Sequence, residues 1–354
     1  MLSRPVTVAA VQAEPVWFDM EATTDKIVDI IAESAGNGAE IVAFPETFLP
    51  GYPWQIWLDS PAASMAFVPR YTLNSPAADG PQLARIAQAA RGHEIAVGLG
   101  YSERDRGSLY MGQAIIDARG ERVLTRRKLK PTHVERTVFG EGDGSDLTVA
   151  DLGYAMVGAL CCWEHLQPLS KYAMYSLGED IHVASWPAFS LYVGQAHALG
   201  AEVNTSASRI YAVEGQSFVV APCTVIGPSA RAIFCDTPAK EEMLGLGGGC
   251  ARIFGPDGSS LAAPLAEDAE GILYAVCEPA LQMVAKSVAD PTGHYSRPDV
   301  TRLLLDRGQR SAAVDAQGRG RPRPGTVPAA DVEAVGAGPA GSVELVGLAG
   351  EVPA

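Results

Sequence analysis

Short β-branched apolar runs alternate along this chain with segments of helical period, and that alternation restricts it to layered α/β folds. "VTVAAVQ" (Val6–Gln12) and "EIVAF" (Glu40–Phe44) are buried-type strands, and between them Ile27, Ile30 and Ile31 recur at helical spacing. "PQLARIAQAARG" predicts a helix with Gly92 just beyond its end, followed by the strand "EIAVGLGY". "SLYMGQAIID" and "GERVLTRRKL" predict a hairpin turned at Ala118–Gly120. Further on, "YAMVGAL", "DIHVASW" and "SFVVAP" read as strands, with helices at "PLSKYAMYSLG" and "AEVNTSASRIYAVEG". "CARIFGPDGSSLA" and "GILYAVC" suggest a last hairpin turned at Pro256–Gly258. Helices that follow strands put functional residues at strand C-terminal ends.

The chain has 354 residues, 47% of them hydrophobic and 19% charged, enough to bury a substantial core. A formal charge of −14 argues against nucleic acid, whose phosphates demand a basic face, and against anionic membrane surfaces. No apolar run approaches the ~20 residues of a membrane span. The opening "MLSRPVTVAA" reads as a first strand, not as a leader. Cys161, Cys162, Cys223, Cys235, Cys250 and Cys277 match no zinc spacing, so no metal is expected, and the expected compartment is reducing, the cytoplasm. Of the 40 residues from Asp315 to Ala354, 13 are Gly or Pro and none is aromatic. That composition cannot offset its ordering entropy, so residues 1–314 are expected to form the domain and 315–354 a disordered tail, with "VELVGL" as a candidate docking strand. "GLGGGC" lacks the Lys-Ser/Thr of a phosphate loop and reads as a flexible turn.

Three places set charged or nucleophilic residues where core residues are expected. In "IVAFPETFLPGYPW", Glu46 follows a buried strand among Phe44, Phe48 and Tyr52, where desolvation would raise its pKa toward that of a general base. In "TRRKLKPTHVERTVFGEGDGS", Lys128 and Lys130 end a strand and share a face by its period of two. In "GALCCWEHLQPLS", alternation puts Cys161 and Cys162 on opposite faces, so one can point into a site while the other packs. A cysteine attacks as its thiolate and needs partners that hold the anion or take the proton. Each residue alone is compatible with an ordinary structural role, and His165 is a second possible partner for either sulfur.

Together, "FPETFLPGYPW", "RRKLKPTHVERTVFGEGDGS", "GALCCWEHLQPLSKYAMYS", "HVASWPAFS" and "DPTGHYSRPDV" resemble the nitrilase family, the nitrile-hydrolysing branch of the carbon–nitrogen hydrolase superfamily. The resemblance runs from about Val6 to Leu305 and implies a four-layer αββα sandwich. It implies Glu46 as general base, Lys128 as cationic partner, Cys162, which directly precedes Trp163-Glu164, as nucleophile, and Glu135 as a second glutamate at the site. Cys161 is then a packing residue and His165 a neighbour of the site. The expected pocket wall is Tyr52, Trp54, Phe139, Trp163, Glu164, His165, Trp186 and Phe189, whose aromatic share suits an aromatic or arylaliphatic nitrile. The resemblance further implies no cofactor, water as second substrate, and homodimers stacked into a spiral or filament. Cyanide dihydratases or hydratases and aliphatic amidases are the near alternatives. A papain-type Cys–His hydrolase would leave Glu46 and Lys128 without a role, and a purely structural assembly protein would have no need of the three residues together.

Overall fold

The computed structural model describes residues 1–317; the expected tail, apart from its first three residues, and "VELVGL" lie outside the described residues. The strands in chain order are β1 (Val6–Ala13), β2 (Ile41–Ala43), β3 (Ala96–Asp105), β4 (Ser108–Ile116), β5 (Arg122–Arg127), β6 (Phe139–Gly140), β7 (Val149–Asp151), β8 (Met156–Cys161), β9 (Ile181–Ser185), β10 (Phe218–Ala221), β11 (Cys223–Thr224), β12 (Arg252–Phe254) and β13 (Gly271–Cys277). They form two mixed sheets. One has the order β11-β1-β2-β3-β4-β5, with β13 antiparallel on β1 and β6 on β4; the other has the order β12-β10-β9-β8-β7.

Five longer helices flank them: α1 (Met20–Gly36), α2 (Pro81–Gly92), α3 (Pro168–Ser176), α4 (Ala201–Gly215) and α5 (Pro279–Ala289). The period of two in β1 assigns the layers. Val8 and Ala10 join the core shared by both sheets, with Ile115, Val157 and Val183. Ala9 and Val11 face the other way, into a second core with Ile27, Ile30 and Ile31 of α1 and Leu83 and Ile86 of α2. Ala173 and Met174 of α3 and Tyr211 and Ala212 of α4 are buried on the second sheet's side of the sandwich. The result is helix, sheet, sheet, helix, the αββα sandwich expected. The two sheets approach closely where Gly98 of β3 faces Val183: a Cβ there would lie 3.2 Å from the valine methyl.

Local departures from expectation have local causes. α2 runs through Gly92, and the left-handed residue beyond it is Glu94, at φ +52°. The turn at Pro256–Gly258 forms, with Gly258 at φ +80°, but β12 and β13 are not a hairpin. β12 pairs with β10 in one sheet and β13 with β1 in the other, because each finds an open edge in a different sheet. "GLGGGC" is no flexible turn either: Gly247 to Cys250 are buried, and a Cβ on Gly249 would come within 2.6 Å of Gln12.

Candidate active site

Glu46, Lys128 and Cys162 follow the C-terminal ends of β2, β5 and β8, the ends at which parallel-sheet proteins build sites. Cys162 opens a short 3₁₀ turn, Cys162–Leu166, at φ +47°, a left-handed conformation costly for a residue with a Cβ. Thr47, next to Glu46, is also left-handed, at φ +44°. The exit of the Glu46 segment needs Gly100 on β3, since a Cβ there would stand 2.0 Å from the Pro45 carbonyl oxygen.

Lys128 is fully buried, and its Nζ donates to Glu46 Oε1 at 3.1 Å and to Glu135 Oε2 at 2.8 Å. Glu135 sits in the turn His133–Thr137 and also accepts the Thr132 N–H (2.6 Å) and the Tyr52 hydroxyl (2.8 Å), which in turn accepts from Trp57 Nε1 (2.9 Å). Glu46 Oε2 is buried with no hydrogen-bond partner among the described residues. Burial, reinforced by the charge of Glu135 and only partly offset by Lys128, pushes the Glu46 carboxyl up to about 8. Burial would pull the Lys128 ammonium down, but Glu135 and Glu46 together hold it well above its usual range. Burial and the charge of Glu46 raise the Cys162 thiol, against the attraction of Lys128 and a hydrogen bond from the Trp163 N–H.

Lys130, placed by period with Lys128, is exposed and paired with Glu141. β5 ends at Arg127, so the period of two does not extend to it.

A cavity of about 40 Å³ opens onto Cys162 and Glu135. Its other walls are Tyr52, Trp54, Trp57, Trp163, Phe189 and Leu191, with Pro187, Ala188, Leu199, Thr132 and Asn204 between them. Glu46 and Lys128 lie behind this wall and reach it through Glu135. Cys161 is fully buried and does not line the cavity.

Four residues expected on the wall are elsewhere. Phe139 packs edge-on against Tyr71, in an apolar cluster beside Tyr52 and Trp54. Trp186 stacks on His165 and donates its Nε1 to Ser208 at 2.8 Å. Glu164 is consumed by a bidentate pair with Arg126 (2.6 and 2.9 Å) and by the N–H groups of Cys161 (2.8 Å) and Leu129 (2.9 Å). The pair is buried on both sides, and the Arg126 charge holds the Glu164 carboxyl below its usual range despite burial. His165 has both ring nitrogens engaged, Nδ1 with the Cys162 carbonyl (2.6 Å) and Nε2 with His182 (3.0 Å), so it is no base for the thiol. Sequence reasoning missed Trp57, Thr132 and Asn204. Trp57, three residues after Trp54 in "YPWQIW", was within reach of a helical-turn argument; Asn204, on α4, carried no signal.

The carbon-nitrogen hydrolase family matches residues 7–284, and the chain belongs to that family. Within it the chain falls among the nitrilases. It is 56% identical to a nitrilase of Pseudomonas syringae pv. syringae over 89% of this chain and 94% of the relative. It is 59% identical to an aliphatic nitrilase of Rhodococcus rhodochrous (85% and 82%) and 50% identical to an arylacetone-specific nitrilase of Alcaligenes faecalis (86% of each). A carbon-nitrogen hydrolase of Helicobacter pylori shares the fold, with a TM-score of 0.66 at 15% identity, over 85% of this chain and all of that one.

Proposed function

We propose that the protein hydrolyses an organic nitrile, of arylaliphatic type, to the carboxylic acid and ammonia, with Cys162 as nucleophile and Glu46, Lys128 and Glu135 as its acid–base machinery. The observation that carries this is one cavity wall on which Cys162 stands beside Glu135, backed by the buried Glu46–Lys128–Glu135 chain.

The Cys162 sulfur adds to the nitrile carbon, and the nitrogen takes a proton delivered through Lys128 and Glu135, giving a thioimidate. Water, deprotonated by Glu46, adds to it; ammonia leaves and a thioester remains. A second water, activated by the same base, releases the acid and restores the thiol. The sum is nitrile plus two waters to acid plus ammonia. Departure of the thiol before ammonia would release the amide.

The aromatic wall of Tyr52, Trp54, Trp57, Trp163 and Phe189 supports an arylaliphatic substrate over cyanide, which would leave that apolar surface unfilled. The arylacetone-specific relative supports the same choice, while the aliphatic one marks short alkyl nitriles as the competitor.

Homo-oligomers are part of the proposal. Leu169 of α3 and Ile210 and Val213 of α4 present apolar side chains outward from the same helical layer. No helix among the described residues is long and apolar enough to cross a membrane. A cytoplasmic location, proposed from the sequence, is supported by the six free thiols among the described residues.

The test is ammonia release from phenylacetonitrile, benzonitrile, a short aliphatic nitrile, cyanide and phenylacetamide, with wild type, Cys162→Ala and Cys161→Ala side by side. Nitrile turnover abolished only by Cys162→Ala is expected. Turnover of the amide alone would move the protein to the amidases, and activity surviving Cys162→Ala would refute the mechanism.

A further inference from the structure

Behind the nucleophile, on the side away from the cavity, runs a buried chain of polar groups that the chemistry above does not use. His165 Nδ1 meets the Cys162 carbonyl at 2.6 Å and its Nε2 meets His182 Nε2 at 3.0 Å. His182 Nδ1 meets Glu179 Oε1 at 2.9 Å, and the Tyr211 hydroxyl donates to Glu179 Oε2 at 2.5 Å. All four side chains are buried, and His182 stacks on Tyr211 with ring centroids 3.8 Å apart. Room for the carboxylate comes from Gly158 on β8, where a Cβ would fall 1.5 Å from Glu179 Oε1. Burial first, with Lys171 and Arg126 adding to it, pulls the His165 imidazole well below its usual range.

The proton count is constrained. A carbonyl only accepts, so His165 Nδ1 carries a hydrogen; the contact between the two Nε2 atoms needs a second, and the contact with Glu179 a third. Two neutral imidazoles hold two. The third is shared across the contact between His182 and Glu179.

The far end of this chain is the peptide unit Cys162–Trp163. Its carbonyl and N–H point in opposite directions in a trans peptide. With the carbonyl held by His165 at 2.6 Å, the plane of this peptide, and with it the orientation of the Trp163 N–H beside the Cys162 side chain, is set; donation from that N–H acts against the burial that raises the thiol. The same residue carries the left-handed backbone of the elbow, a conformation that persists only when its surroundings over-determine it.

We propose that His165, backed by His182 and Glu179, is a positioning residue that fixes the Cys162–Trp163 peptide and so aims the Trp163 N–H at the reacting sulfur. This rests on Cys162 being the nucleophile.

The experiment follows iodoacetamide labelling of Cys162 against pH, by mass spectrometry of its peptide, together with kcat and KM, in the full chain. The variants are His165→Phe, which keeps a ring without the donor, His165→Asn, whose amide N–H replaces Nδ1–H, Glu179→Gln and Cys162→Ala. His165→Phe is expected to move the labelling inflection up by about one pH unit. It is also expected to lower kcat roughly 10–100-fold with KM little changed. His165→Asn is expected to recover most of both, and Glu179→Gln to shift both in the direction of His165→Phe, by less. If His165→Phe fails to fold, Glu179→Gln, which leaves the elbow contacts in place, decides. A wild-type labelling profile and kcat in His165→Phe, or in Glu179→Gln where it decides, would overturn the proposal, as would a His165→Asn no better than the phenylalanine. Turnover that survives Cys162→Ala would overturn the nucleophile assignment instead, with the labelling profiles still reporting whether the elbow depends on His165.

Discussion

Glu46 has to be ionised to take a proton from water, yet it is wholly buried, and one of its oxygens has no partner among the described residues. With its carboxyl pushed up to about 8, kcat/KM should rise with pH through an inflection near 8, and Glu46→Gln should abolish turnover. The same shift acts on stability. A carboxyl whose pKa is raised by folding stabilises the native state fully below its unfolded pKa of about 4.5, and that stabilisation is lost as pH rises through about 8. Glu46→Gln has no such loss. The melting temperature of the variant should therefore gain on wild type between pH 5 and pH 8, by about 1–2 °C for each kcal/mol involved. A variant melting temperature that does not rise relative to wild type over that range would mean Glu46 is ionised throughout. This environment was legible in outline, since "IVAFPE" runs a buried-type strand into the carboxylate. The meeting of Lys128 with Glu135 was implied by the resemblance alone and not by period: seven residues apart, they meet because a capped turn folds Thr132–Thr137 back over the end of β5.

At the scale of elements, the site depends on loops held at strand ends. Glu164 ties two of them by three contacts, taking the side chain of Arg126 on β5, the backbone N–H of Leu129 beside Lys128, and that of Cys161 at the end of β8. Glu164→Gln leaves the buried Arg126 charge unpaired, a loss of about 3–5 kcal/mol. Denaturant unfolding should register it, and kcat should fall as well, because the segments bearing Lys128 and Cys162 lose their common anchor. A stability loss under about 1 kcal/mol would show that Gln113 and the Asp146 carbonyl suffice for Arg126. Most strands and four of the five longer helices announced themselves by period; α5 was not among the helices expected. What sequence could not supply was partnership. "CARIF" and "GILYAVC" look like two arms of one hairpin, but they close open edges on different sheets, and local pattern carries no information about which edge lies open. The misplacement of Trp186, His165 and Phe139 has the same origin. Strand-end position says that a side chain is near the site, while the direction of its approach is set by packing from the opposite layer.

For the whole molecule, the outer helical layers of the sandwich are broad faces available for association. Among the exposed apolar side chains of the described residues, three share the layer of α3 and α4: Leu169 on α3 is 71% exposed, and Ile210 and Val213 on α4 are 47% and 41% exposed. Both helices pack on the side of the second sheet, and α4 also supplies Asn204 to the cavity. A partner seated on this layer would therefore stiffen a helix that forms part of the substrate wall. Substituting Leu169→Glu and Ile210→Glu together places two charges on surface-facing positions, where the monomer itself loses little, within about 0.5 kcal/mol each. If the layer is an interface, light scattering on a sizing column should find the double variant in smaller species than wild type. Its KM for phenylacetonitrile should rise, because α4 loses its support. An unchanged mass distribution would exclude this layer as the assembly surface. A reduced mass with unchanged KM would separate assembly from the shape of the cavity.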